Sequence, residues 1–213
     1  MTGSSRRRRA LTAVLPVVVP ASMTAVFTGL GRRTTPVRAY NWGFVAYWAG
    51  WCFAFPLRML GPHRCCAVLS AGRRPTPVEL GLLSVPMAGA MATTLAPNLR
   101  RVDRRVAVVM VGAAAVNGVG EELLWRGTFL EEFPDNVLLG AVWPWVGFTA
   151  WHIAPQVVLP SRYGRGRFTA AAGLVGAVSA LTAWRAHGVR GTLLPHVFTD
   201  ACGVPTAEFR LGR

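Results

Sequence analysis

Residues 106–126 read VAVVMVGAAAVNGVGEELLWR, an uncharged run from Val106 to Gly120 that passes directly into Glu121, Glu122 and, four further on, Arg126. Ionisable side chains within a membrane span cost about 2.5–3.5 kcal/mol each on insertion scales, so they normally face a bundle interior or a wet cavity. On a helix Glu122 and Arg126 share one face with the acid N-terminal, the better order for an ion pair. Glu121 is rotated by about 100° toward the face of Trp125 and is left to meet another helix. The plainer reading is a helix end whose charges are solvated among head groups.

Outward from this segment the chain repeats the same pattern. Leu11 to Leu30, Ala39 to Leu57 and Leu80 to Leu99 are each uncharged, about the 20 residues a span requires. Asn136 to Ser161, Phe168 to Trp184 and a short Gly191 to Thr199 follow. Nothing alternates with a period of two, and lipid admits only helices and closed barrels. The expected fold is therefore all-α, a polytopic transmembrane helix bundle of six to seven helices. It forms a single membrane domain over residues 1–213, with scaffold helices in 1–105 and site-bearing helices in 106–205. The break between them is the cluster Arg100, Arg101, Asp103, Arg104, Arg105. Gly61 to Pro77 and Ser161 to Arg167 read as loops. Pro16, Pro20, Pro144 and Pro195 are expected to kink or break their helices. Trp42, Trp48, Trp51, Trp143, Trp145 and Trp184 lie near block ends, as interface anchors do.

The net charge is +14, and all 23 basic residues are Arg. In a soluble protein this would suggest nucleic acid. Here the arginines lie between apolar blocks, where they meet phospholipid head groups, and a nucleic-acid partner is not expected. Counted on alternate loops of a seven-helix arrangement they divide eleven to twelve and set no orientation, although Arg6 to Arg9 favours a cytoplasmic N-terminus. That cluster, with Leu11 to Val19 and the small Ala21 and Ser22, also has the shape of a secretory signal. The apolar run continues to Leu30, so a retained first helix is expected. The four cysteines, Cys52, Cys65, Cys66 and Cys202, show no metal spacing and are read as small apolar residues. The expected location is a cell membrane, as a multi-pass protein of bacterial character.

Two later segments carry ionisable groups in apolar surroundings. His152 ends the run Phe148, Thr149, Ala150, Trp151, with Pro155 closing the helix; alone, such a histidine is more often packed than reactive. His196 and Asp200 stand four apart in the last short block. His63 and His187 lie among loop residues and are set aside. Three helices thus carry ionisable groups, two of them in pairs at a spacing of four, and burying each is costly unless another meets it, which predicts convergence. Two carboxylates and two imidazoles around one point can activate a water and supply a donor to a developing oxyanion.

A Glu-Glu pair with Arg four after the second Glu, then Phe with His four later, then His with Asn or Asp four later, resembles the CPBP family, also called Abi: type II CAAX prenyl endopeptidases and bacteriocin-processing relatives. The resemblance covers about residues 106–205. It implies an intramembrane endopeptidase that hydrolyses a peptide bond near the membrane surface with glutamate- and histidine-activated water. Glu121 would act with His152 on the water, His196 and Asp200 would face the oxyanion, Glu122 with Arg126 would support the geometry, and Phe148 would pack beneath. The family often has Asn at the last position; Asp200 cannot donate as an amide does unless protonated.

The family is named for metalloproteases, and a metal-free glutamate mechanism is argued for it as well. His152, His196, Asp200 and Glu121 are the candidate ligands, and zinc is the leading metal. No His-Glu-x-x-His motif is present. The expected partners are the bilayer and a peptide or membrane-protein substrate. The competing expectation is a non-enzymatic bacteriocin-immunity or partner-binding membrane protein that keeps its polar cluster for helix packing.

Overall fold

A computed structural model describes residues 3–203, and every regular element in that range is helical. Eight continuous helices follow in order: α1 (Gly3–Gly31), α2 (36–60), α3 (Pro62–Ser70), α4 (Pro77–Asn98), α5 (Arg104–Glu132), α6 (137–151), α7 (Arg165–Ala186) and α8 (Arg190–Gly203). Residues 204 and 205, the last of the expected site-bearing half, lie outside the described range.

Local chemistry sets the boundaries. Thr35 precedes Pro36 and its hydroxyl accepts from the Arg38 amide. Thr76 and Glu79 form a reciprocal capping box around Pro77, and Arg73 holds the Glu79 carboxylate through two bonds of 2.7 Å. Asp103 caps α5 by accepting from the Val106 amide at 2.8 Å. Each device satisfies amides that the first helical turn leaves without partners. The stretch 61–77, expected as a loop, instead contains α3. Gly61 at φ 81° turns the chain, and Pro62 presets the first helical position.

Four helices are long and apolar enough to cross a membrane: Ser5–Gly31, Pro77–Asn98, Arg104–Glu132 and Arg165–Ala186. Among the described residues eight helices stand where six to seven were expected, and four of them qualify as spans by length and composition. The sequence of α2 has the length, but Tyr, Asn and Trp dilute its apolar character. With fourteen residues, α8 reaches only about 21 Å at 1.5 Å per residue, and α6 is nearly as short. The helices run on through Pro16, Pro20 and Pro195 rather than breaking there. Four π-helical turns, at Tyr47–Ala54, Met91–Leu95, Leu123–Gly127 and Leu138–Val142, lie inside α2, α4, α5 and α6.

Close backbone approach holds the bundle together. A Cβ on Gly147 of α6 would lie 2.5 Å from the Pro16 Cα of α1, and one on Gly118 of α5 would lie 2.7 Å from Val197 of α8. Only glycine allows those crossings, as at other membrane-helix contacts. Between them Leu15, Val19, Met23 and Phe27 of α1 pack with Tyr47, Trp125, Phe129, Phe148 and Trp151. Two tryptophans expected as interface anchors tie helices instead: Trp143 donates to the Ala13 carbonyl and Trp145 to that of Gly173. The four cysteines are free thiols.

Contacts between connections define two ends. Arg8 pairs with Glu132 at 3.3 Å and Arg64 with Glu131, while the Arg190 amide donates to Ala71 O. The start of α1, α3, the end of α5 and the α7–α8 turn therefore share one end. At the other, Gly31 abuts Val158 and the Tyr163 hydroxyl donates to Thr93 O at 2.9 Å. That joins the α1–α2 turn, the α6–α7 loop and the end of α4.

Candidate active site

The Glu pair ends the regular part of α5, and the π turn at Leu123–Gly127 begins with the next residue. Such turns widen a helix by one residue and often mark functional sites. Here Trp125, Arg126 and both glutamates all point into the protein, at most 2% exposed.

Glu121 is surrounded by donors from several helices. Its Oε1 accepts from the Tyr47 hydroxyl at 3.0 Å and from Trp151 Nε1 at 2.8 Å. Its Oε2 accepts from Asn117 Nδ2 at 3.1 Å and lies 3.3 Å from His196 Nε2. Trp125 Nε1 in turn donates to the Tyr47 hydroxyl at 2.8 Å, which fixes the direction of that donor. Glu122 points to the other side of the same imidazole. Its Oε1 is 2.8 Å from His196 Nδ1 and 3.4 Å from Arg126 Nη1, and Thr192 Oγ1 donates to Oε2 at 2.6 Å. The imidazole of His196 therefore bridges the two glutamates.

Asp200, one turn along α8 from His196, places Oδ1 3.7 Å from Nε2, and its Oδ2 accepts from Asn117 Nδ2 at 2.8 Å. Its side chain is 22% exposed while His196 is 1% exposed, so the network reaches the surface on the Asp200 side. The Arg126 guanidinium stacks 4.3 Å over the Phe148 ring. Its two terminal nitrogens have no hydrogen-bond partner, leaving the Glu122 contact and the ring as its compensation.

His152 stands somewhat apart. It caps the C-terminus of α6, and its Nδ1 lies 2.7 Å from the Phe148 carbonyl. Its ring packs on Phe148 at 4.6 Å and Phe168 at 5.9 Å. Phe148 is the common neighbour, since His196 lies 5.8 Å from it edge-on.

Glu121, His196 and Asp200 each offer an atom within 4.8 Å of the others. Those separations suit a divalent cation, because ligands at 2.0–2.1 Å in a tetrahedron stand about 3.3 Å apart. Glu122 on Nδ1 supplies the carboxylate that orients a metal-binding imidazole. Three carboxylates facing one guanidinium also favour a cation among them. His152, expected as a fourth ligand, is not in that group; its ring is held by its own helix end and by aromatic packing.

The sequence reading passed over Asn117, Tyr47, Trp48, Trp151 and Thr192. Asn117 carried a signal: a lone amide in an apolar block, four residues before Glu121, needs a partner as much as a charge does. Trp48, read as an interface anchor, donates to Asn117 Oδ1 at 2.8 Å. Nothing local marked Tyr47 or Trp151 off from other aromatics.

No curated protein and no solved structure is matched by the chain. Residues 103–202 match the family model described as type II CAAX prenyl endopeptidase Rce1-like. That range runs from the cap of α5 to the last turn of α8 and takes in the Glu pair, Arg126, both site histidines and Asp200. Over residues 103–202, just under half of the chain, the sequence is similar to the Rce1-like type II CAAX prenyl endopeptidase family.

Proposed function

We propose that the protein is a multi-pass intramembrane endopeptidase that hydrolyses a peptide bond near the membrane surface. In this reading α2 crosses the bilayer beside the four long apolar helices, and the short α6 and α8 carry His152, His196 and Asp200 part of the way in. The observation that carries it is the 3.3 Å approach of Glu121 Oε2 to His196 Nε2 inside an otherwise apolar bundle.

Glu121 is the general base. It takes a proton from water as the oxygen adds to the scissile carbonyl carbon, and His152 holds that water from the opposite side. The Nδ1 of His152 is engaged by the Phe148 carbonyl, which leaves Nε2 for the water. His196 donates to the developing oxyanion, Asp200 and Glu122 hold its ring, and Arg126 keeps Glu122 in place. The proton then passes from Glu121 to the leaving amine as the C–N bond breaks. Asp200 stands where the family often has Asn; it accepts from Asn117 and orients His196 rather than donating. When bound at Glu121, His196 and Asp200, zinc supplies carbonyl polarisation and a more acidic water. The substrate class is the C-terminal or leader segment of a membrane-associated protein.

Terminal proteomics of membrane and exported fractions tests the reading in cells carrying wild type or Glu121→Gln. Expected is a set of new termini that disappears in the variant, with turnover in reconstituted vesicles falling by about 10²–10⁴-fold. Identical termini in both strains would sink it. A second reading, a non-enzymatic membrane protein, is favoured by one observation: both Glu121 oxygens already face donors from the protein. It prevails where Glu121→Gln and His152→Asn both leave the cellular phenotype intact.

A further inference from the structure

We propose that the end of the bundle built from the α1–α2 turn, the α4–α5 link and the α6–α7 loop docks on anionic phospholipid head groups. Arginines stand at both ends of the bundle, so their number does not distinguish the two. The acids do. At the end that holds α3, Glu79, Glu131 and Glu132 answer Arg73, Arg64 and Arg8 as ion pairs. At the opposite end the acid among the described residues is Asp103, and its carboxylate is used to cap α5.

Arg32, Arg33, Arg38, Arg104, Arg105 and Arg165 are all exposed at that second end, and none forms an ion pair. Folding brings the three connections that carry them, far apart in sequence, to one end of the bundle. Exposed charges within about 10 Å of one another add their fields at moderate salt. The guanidinium fork binds phosphate oxygens in pairs, which an ammonium cannot.

Five of these residues flank the ends of three of the four helices long and apolar enough to cross a membrane: Ser5–Gly31, Arg104–Glu132 and Arg165–Ala186. The surface they face is therefore a leaflet, and the complement of an unanswered positive face is a leaflet of negative lipid. The inference needs membrane insertion but no catalysis, so it stands or falls apart from the peptidase reading.

The full chain is inserted into nanodiscs of equal parts phosphatidylcholine and phosphatidylglycerol, then released in neutral detergent. Retained lipid is counted by native mass spectrometry. Expected is several-fold enrichment of phosphatidylglycerol, reduced when sodium chloride is raised from about 0.1 to 0.5 M, since that shortens the screening length. The quadruple variant R32Q/R104Q/R105Q/R165Q loses most of the enrichment. A variant of equal charge change at the other end, R6Q/R7Q/R58Q/R74Q, keeps it. Wild-type retention without preference for phosphatidylglycerol, or unaffected by salt, overturns the proposal whether or not the variants fold. Equal loss in the two folded variants overturns it as well.

Discussion

Asn117, which was not named in advance, joins three residues of the polar centre. Its amide donates to Glu121 and Asp200, and its carbonyl accepts from Trp48. Removing it would leave His196 Nε2 as the group shared by the Glu121 and Asp200 carboxylates. Asn117→Ala is expected to lower kcat about 10–100-fold, the usual cost of losing an orienting partner, with KM little changed; Trp48→Phe should cost less. Reconstituted enzyme assays check both, and a variant altering only KM would contradict the positioning role. Arg126 is a stability matter. Arg126→Met strands Glu122 without its cation, and breaking a buried pair costs about 3–5 kcal/mol. Equilibrium unfolding in mixed detergent should show a loss of that order, with His196 and Thr192 trimming it. The ionisable residues were legible in sequence because apolar surroundings leave each charge in need of a partner. Tyr47 and Trp151 were not, because an aromatic donor in an apolar block looks the same whether its polar atom is used or idle.

At the level of elements, the apolar blocks located the long helices, since hydrophobic runs and helix length are governed by the same bilayer. Boundaries and defects were harder. The helix at Pro62–Ser70 carries Arg64, His63 and two cysteines, a composition that resembles a loop, yet Gly61 and Pro62 are a helix start. The π turn at Leu123–Gly127 has no sequence signature at all, although it sits beside the Glu pair. The α1–α6 crossing gives a sharp test. Gly147→Val must push Pro16 and Trp125 aside, since a Cβ there would already meet them at 2.5–2.6 Å. Overpacking of this kind costs about 1–3 kcal/mol, and thermal denaturation in nanodiscs should register it. Gly29→Val, where a Cβ meets nothing within 4 Å, is the matched control and should be near neutral.

For the whole molecule, the all-helical class followed from composition, while which helices are both long and apolar did not, because length and apolarity part company in α2, α6 and α8. The helices that do qualify are unequal. Those at Pro77–Asn98 and Arg165–Ala186 have 22 residues each, whereas Arg104–Glu132 has 29. At 1.5 Å per residue the shorter pair measure about 33 Å and the long one about 44 Å, against a hydrocarbon core of about 30 Å. One bilayer thickness cannot suit both lengths upright, so α5 must lean or its ends must stand proud of the lipid. Stability should accordingly peak in one acyl-chain length and fall on either side, as measured by unfolding across vesicles of graded thickness; a flat response would mean the mismatch is absorbed elsewhere. Since α5 carries both glutamates, membrane thickness becomes a control on the tilt of the helix to which the peptidase reading assigns its base, and under that reading lipid composition alone would tune turnover.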